Sequence, residues 1–299
     1  MNASVQLLRR TVPSVVHLRT RIPESHPSVS ILGAERMGSG TIIDASGLIV
    51  TVNYVVIGAS SVEVTLGDGR TVPAALVARD YASGLALLKV PGDGHVPAAL
   101  RSSATLQAGE EVFLLASVGE EGPRVGTGMV SYIGPFDAYW EYFLERAIMA
   151  TVMSPGVGGG PMFDAGGRMV GIVSLNLNEV GRLSLAIPVE NYMEHRDELL
   201  RYGGRRKGSG RAWVGFYCHT LQEHVVILGV LPGAPGETAG LRAGDVVLAV
   251  DGSPVSDRRS LYQRLWSRRA GDRVAFQIFR QNEVRTIEIA TVSIEEMFG

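Results

Sequence analysis

The sequence predicts a mainly β chain, a pair of barrels or sandwiches followed by a smaller α+β domain, and three observations predict it. From Val12 to Pro188, short apolar or alternating runs recur at roughly 8–12-residue spacing between glycine turns, with almost no helical period. Glycine is abundant, at 37 of 299 residues, as tight turns between many strands require. A chain of 299 residues also exceeds one small core, and a glycine- and cation-rich stretch at 203–210 breaks it once. The domains are therefore expected at 1–202 and 211–299, with 203–210 as a solvated linker.

Taken in order, the first strands are Ser39-Gly-Thr-Ile-Ile-Asp, Leu48-Ile-Val-Thr-Val, Val62-Glu-Val-Thr-Leu and Leu85-Ala-Leu-Leu-Lys-Val. Gly67-Asp-Gly and Pro91-Gly-Asp-Gly punctuate them, and Ala165-Gly-Gly precedes the later strand Met169-Val-Gly-Ile-Val. Over Val189–Arg201 the period changes. Tyr192-Met193 and Leu199-Leu200 among charges suit an amphipathic helix that closes the first domain. After Trp213 the pattern is mixed, with helices near Ala234–Ala239 and Arg258–Arg268. Two last strands, Val274–Phe279 and Val284–Ile289, join through Arg280-Gln-Asn-Glu.

Composition excludes several function classes. A net charge of −2 argues against nucleic acid or a membrane surface held by bulk electrostatics. The single cysteine, Cys218, rules out an intrachain disulfide and a thiolate zinc cluster, and is expected to be a small buried residue. No metal site and no cofactor is expected. Nor does any stretch approach the roughly 18 uninterrupted apolar residues of a transmembrane segment. The first ten residues lack a basic region followed by an apolar one, so the chain as it stands reads as cytoplasmic, or extracytoplasmic if an export signal has been trimmed from it.

The segment Pro155-Gly-Val-Gly-Gly-Gly-Pro-Met draws attention next. No Lys-Ser/Thr pair or helix follows it, as a phosphate loop would need. A nest of backbone N–H groups and a plain tight turn both remain open. The segment resembles the nucleophile loop of HtrA-type serine proteases, Pro-Gly-Asn-Ser-Gly-Gly-Pro. Further motifs follow that family's order: Pro13-Ser-Val-Val, Gly38-Ser-Gly-Thr-Ile-Ile-Asp, Leu48 to Val56, Asp80 to Lys89, Gly126-Thr-Gly-Met-Val-Ser and Leu183-Ser-Leu-Ala-Ile-Pro. The resemblance implies a trypsin-like double barrel of two six-stranded halves. It puts Tyr54 where the family has its histidine, Gly84 at its aspartate and Gly158 at its serine. Gly156 and Gly158 fall where the family's backbone oxyanion hole lies. Ala150 replaces a common aspartate.

Glycine carries no nucleophile, and phenol, with an ordinary pKa near 10, is a poor base at neutral pH. The expectation is therefore a protein that is not an enzyme. It would be a non-proteolytic binder of peptides or protein C-termini, acting as adaptor, chaperone-like holder or regulatory subunit of an active HtrA-type relative. The alternative is a weak or unconventional serine-type endopeptidase. The resemblance also implies a homotrimer. An aromatic run, Phe136, Tyr139, Trp140, Tyr142 and Phe143, lies in the family's regulatory-loop region and reads either as packing between the barrels or as a subunit or peptide contact.

The C-terminal third, with Gly233-Ala-Pro-Gly-Glu-Thr-Ala-Gly-Leu and Val250-Asp-Gly-Ser-Pro-Val, is similar to an HtrA-type PDZ domain. In such domains an apolar-apolar-Gly-apolar turn presents backbone N–H groups to a peptide's terminal carboxylate, and the peptide adds as a strand to the sheet edge. Here the turn is Trp213, Val214, Gly215 and Phe216, and Leu261 and Leu265 are expected on the helix that walls the groove.

Overall fold

The computed structural model describes residues 3–119, 122–156, 158–178, 181–206 and 210–299; residues 207–209 of the expected linker lie outside them. The chain divides into two compact units, Met1–Pro135 with Glu145–Arg206, and Phe136–Leu144 with Lys207–Gly299.

The first unit holds two closed barrels. Strands β1 (Val15–Arg21), β2 (Glu35–Asp44), β3 (Leu48–Val52), β4 (Ser61–Thr65), β5 (Thr71–Asp80) and β6 (Leu85–Lys89) close in the order β1-β2-β3-β6-β5-β4. Strands β7 (Glu111–Ser117), β8 (Pro123–Asp137), β9 (Phe143–Ala150), β10 (Pro161–Asp164), β11 (Met169–Leu177) and β12 (Leu183–Pro188) close as β10-β11-β12-β9-β8-β7. Alternation decides what lies inside. In β4 the outward residues Ser61 and Glu63 are exposed while Val62 and Val64 are buried. By contrast, β3 is buried at all five positions, which explains its unbroken apolar run. Each fully buried Val, Leu or Ile of this kind stabilises the fold by about 1.5–3 kcal/mol.

Helix α1 (Ala3–Thr11) precedes the barrels and was not marked by any sequence signal; α2 (Val29–Leu32) and α3 (Asn53–Val56) are single turns inside loops. The helix expected over 189–201 is two pieces, α4 (Glu190–Met193) and α5 (Arg196–Tyr202). His195 separates them, with a non-helical φ of −113°, and Gly203 ends α5 in the left-handed region at φ 72°.

The second unit carries a sheet of β13 (Phe216–Leu221), β14 (His224–Val230), β15 (Val246–Val250), β17 (Arg273–Arg280) and β18 (Glu283–Ala290) in that order, with β16 (Ser253–Pro254) paired to β15. Two-residue hairpins join β13 to β14 and β17 to β18. Gln222, Glu223, Gln281 and Asn282 all have positive φ, as a turn matching strand twist demands. Helix α6 (Pro235–Thr238) is one turn, α7 (Arg258–Trp266) lies over the sheet and α8 (Ile294–Phe298) ends the chain. Asp257 caps α7 by accepting from the Ser260 N–H at 2.7 Å. Phe216, Cys218, Val225, Ile227, Val247, Leu261, Tyr262, Leu265, Phe276 and Ile278 form the core.

Candidate functional site

In the first unit the two barrels meet at α3, which sets the geometry of their junction. The chain turns straight from β3 into α3, with the Asn53 N–H donating to the Gly84 carbonyl at 2.7 Å. Gly84 is itself left-handed, at φ 78°, and its N–H donates to the Asp80 carbonyl at 2.8 Å. The first of these bonds ties Gly84 to the residue that precedes Tyr54. Asp80, four residues earlier, is buried and pairs with Arg205 at 2.6 Å and with the Ser83 hydroxyl. Tyr54 then reaches into the second barrel, and its hydroxyl donates to the Ser174 carbonyl at 2.8 Å. Burial pushes the phenol up to about 12, so it remains a protonated donor at every ordinary pH.

Gly158 lies beneath that hydroxyl. A Cβ added there would stand 2.0 Å from Tyr54 Oη and 2.9 Å from the Ser174 oxygen. Tyr54 therefore fills the space that a side chain at 158 would take. The Gly158 carbonyl accepts from the Ser39 N–H at 2.8 Å. Gly156 packs tightly, its added Cβ falling 2.8 Å from that of Ala116. Its neighbours explain the glycine run. Gly159, at φ 95°, would put a Cβ 2.1 Å from the Ser39 oxygen, and Gly160 would put one 2.2 Å from the Leu115 oxygen. Only glycine lets three backbones approach this closely. Positions 54, 84 and 158 thus supply one hydroxyl donor and two backbone turns, and no nucleophile. Among the described residues, no group of three His, Cys, Asp or Glu side chains could hold a metal ion.

The second unit contains the turn Trp213–Phe216. Trp213 exchanges backbone bonds with Val292 and packs edge-on against Phe298, with centroids 5.6 Å apart. Val214 and Phe216 point into the core, and Gly215 turns left-handed at φ 83°. The consequence is three successive N–H groups aimed at one spot. Val214 donates to Glu141 Oε1 at 3.0 Å; Gly215 and Phe216 donate to Glu141 Oε2 at 2.6 and 3.2 Å. Glu141 is only 4% exposed. Burial pushes its carboxyl up to about 7, partly offset by the three N–H donors and by Arg211.

Sequence reasoning missed Glu141, although an acid flanked on both sides by the aromatics Trp140 and Tyr142 was a signal. That run belongs to the second unit. The Tyr139 carbonyl accepts from the Cys218 N–H at 2.6 Å, and Trp140 bridges antiparallel to Tyr217. Leu261 and Leu265, expected on the groove wall, are fully buried and pack in the core cluster of this unit. The α7 residues that meet the segment are Arg258, Arg259 and Tyr262. Burial pushes the Tyr262 hydroxyl far up from its ordinary range, so it stays protonated, 3.0 Å from the Ala138 carbonyl and 2.8 Å from that of Trp140.

A model of the trypsin-like peptidase domain matches residues 38–172, and a PDZ domain model matches residues 207–291. A Halomonas elongata protein named "probable periplasmic serine endoprotease DegP-like" is 32% identical over 85% of this chain and 56% of its own length. The chain belongs to the HtrA type of trypsin-like proteases with a PDZ domain. An Ectopseudomonas mendocina protein of the same name is 29% identical over 88% of the chain and 58% of its own length. The HtrA-type chain therefore spans just over half the length of these relatives. Among solved structures, the HtrA-type protease AlgW with a tripeptide superposes with a TM-score of 0.61 at 24% identity, covering 98% of this chain and 97% of that one. A serine endoprotease from Yersinia pestis gives 0.59 at 22%, covering 98% and 99%. Both share the fold.

Two expectations are corrected by these relatives. The chain was expected not to be an enzyme, because Tyr54, Gly84 and Gly158 stand at the catalytic positions. The relatives it matches are named serine endoproteases, so the activity class of its family is peptidase. Residue types at three positions describe those positions and do not test turnover. It was also expected to be cytoplasmic, whereas the same relatives are named periplasmic. An N-terminus without an export pattern carried that expectation, and it is a weak guide to compartment.

Proposed function

We propose that this HtrA-type chain binds peptides or protein C-termini through the Trp213–Phe216 turn of its PDZ domain, outside the cytoplasm. One observation carries the reading: the N–H groups of Val214, Gly215 and Phe216 converge on a single carboxylate at 2.6–3.2 Å. Three donors around one anion make a built carboxylate seat, each charge-assisted and stronger than a neutral hydrogen bond. The edge of β13 beside it offers a peptide backbone a pairing partner in its Cys218 N–H, which here donates to the Tyr139 carbonyl. Adaptor, chaperone-like holding and regulatory roles, including a complex with an HtrA-type relative, would work through this seat, whereas a homotrimer would form through the protease domain. Fluorescent peptides with apolar, free C-termini are expected to bind the full chain and to lose at least tenfold in affinity on C-terminal amidation. Equal affinity of acid and amide would defeat the reading.

The relatives' names favour a second reading, serine-type endopeptidase. In this chain its nucleophile would be a hydroxyl other than residue 158. Unfolded casein is then expected to be cut, and a fluorophosphonate probe to label a serine that peptide mapping identifies. Intact casein together with an unlabelled protein would rule the second reading out.

A further inference from the structure

We propose that residues 136–144 are a tethered ligand of this chain's own PDZ domain, with the Glu141 side chain seated where an incoming peptide's terminal carboxylate would sit. The inference rests on the reading of Val214–Phe216 as a carboxylate seat and adds how that seat is regulated.

Four observations support it. The PDZ domain model matches 207–291, so the segment is an addition to that domain from far earlier in the chain. Its backbone meets the β13 edge at a single antiparallel bridge, Trp140–Tyr217, where the Tyr139 carbonyl accepts from the Cys218 N–H. Its Glu141 carboxylate takes all three donors of the turn. Side chains then clamp both flanks. Arg258 Nε pairs with Asp137 at 2.7 Å and a second nitrogen donates to the Asp137 carbonyl at 3.1 Å, while Arg259 lies 5.1 Å over the Phe143 ring. Backbone pairing to the sheet edge, a buried carboxylate and flanking contacts are parts of peptide recognition, here supplied by the chain itself.

A tethered occupant competes at high effective concentration, so an outside peptide meets a seat that is free only in the undocked fraction of molecules. Its apparent affinity falls by that fraction. An outside ligand that covers the seat without an acceptor of its own would bury three N–H groups unpaired, so the seat selects for a carboxylate.

The test uses the full chain and a labelled pentapeptide, Phe-Asp-Ala-Tyr-Trp with a free C-terminus, alongside its C-terminal amide. Glu141→Ala empties the seat. Asp137→Asn weakens the anchor at a partly exposed position where folding is not at risk, and it carries the test if Glu141→Ala fails to fold. Both variants are expected to bind the free acid at least tenfold more tightly than the unaltered chain, and the amide weakly. Carboxylate-dependent binding of equal strength in the unaltered chain and both variants would overturn the tethered ligand while leaving the seat intact. Absence of carboxylate-dependent binding in every variant would overturn the seat itself, and the inference with it.

Discussion

Gly215→Ala is expected to destabilise the second unit by roughly 3 kcal/mol and to abolish carboxylate binding. Gly215 has φ 83°, where a side chain costs about 1–2 kcal/mol. The added Cβ would also lie 2.4 Å from the Ala234 Cβ and 2.7 Å from the Trp213 ring. Ala234 and Trp213 are both buried, so neither can yield cheaply, and overpacking of this kind adds about 1–3 kcal/mol. Relief requires the backbone to rotate, and rotation turns the Gly215 N–H, the shortest of the three donors, away from the seat. Urea unfolding followed by tryptophan fluorescence measures the first effect. Titration with a free-acid peptide measures the second. A variant as stable as the unaltered chain, binding with unchanged affinity, would contradict this account of the turn.

Gly158→Ser is expected to destabilise the first unit by about 1–3 kcal/mol, because its Cβ meets the Tyr54 hydroxyl and the Ser174 oxygen. Tyr54 cannot simply swing aside. It is half-buried and bonded to the Ser174 carbonyl, a backbone group that would lose its partner. Tyr54→Ala alone is also expected to destabilise, by leaving a cavity and that unpaired carbonyl. The double variant should then be more stable than the sum of the two losses allows, by about 0.5–3 kcal/mol, since the serine enters space that the ring has left. Thermal unfolding of the four proteins closes the cycle. Strict additivity would mean that Tyr54 does not fill the place of the residue 158 side chain.

Much of the fold was legible because strand physics is local. The period of two in Val62–Val64, the unbroken run of β3 and the Gln281-Asn282 turn each follow from a few adjacent residues. Helix boundaries were less legible. His195 divides the expected 189–201 helix without a proline or glycine to mark the break. Helix α1 escaped because its nine residues are too few for a helical period to stand out.

The candidate sites divide in the same way. The motifs named Tyr54, Gly84, Gly158 and the Trp213–Phe216 turn from sequence order alone. They did not indicate the acceptor of the Tyr54 hydroxyl, since Tyr54 Oη and the Ser174 carbonyl are 120 residues apart. Leu261 and Leu265 share a helical face, as their spacing predicts, but helical spacing alone does not say whether that face meets a ligand or the core.

By itself, then, the sequence determined the double barrel, the PDZ domain and the place of the Trp213–Phe216 turn. Only the tertiary structure decided what the turn's three N–H groups hold. Glu141 lies 73 to 75 residues from its donors, and no periodicity or motif links positions that far apart. Long-range packing brings them together, and burial makes the pairing consequential, because three donors removed from water must find an acceptor.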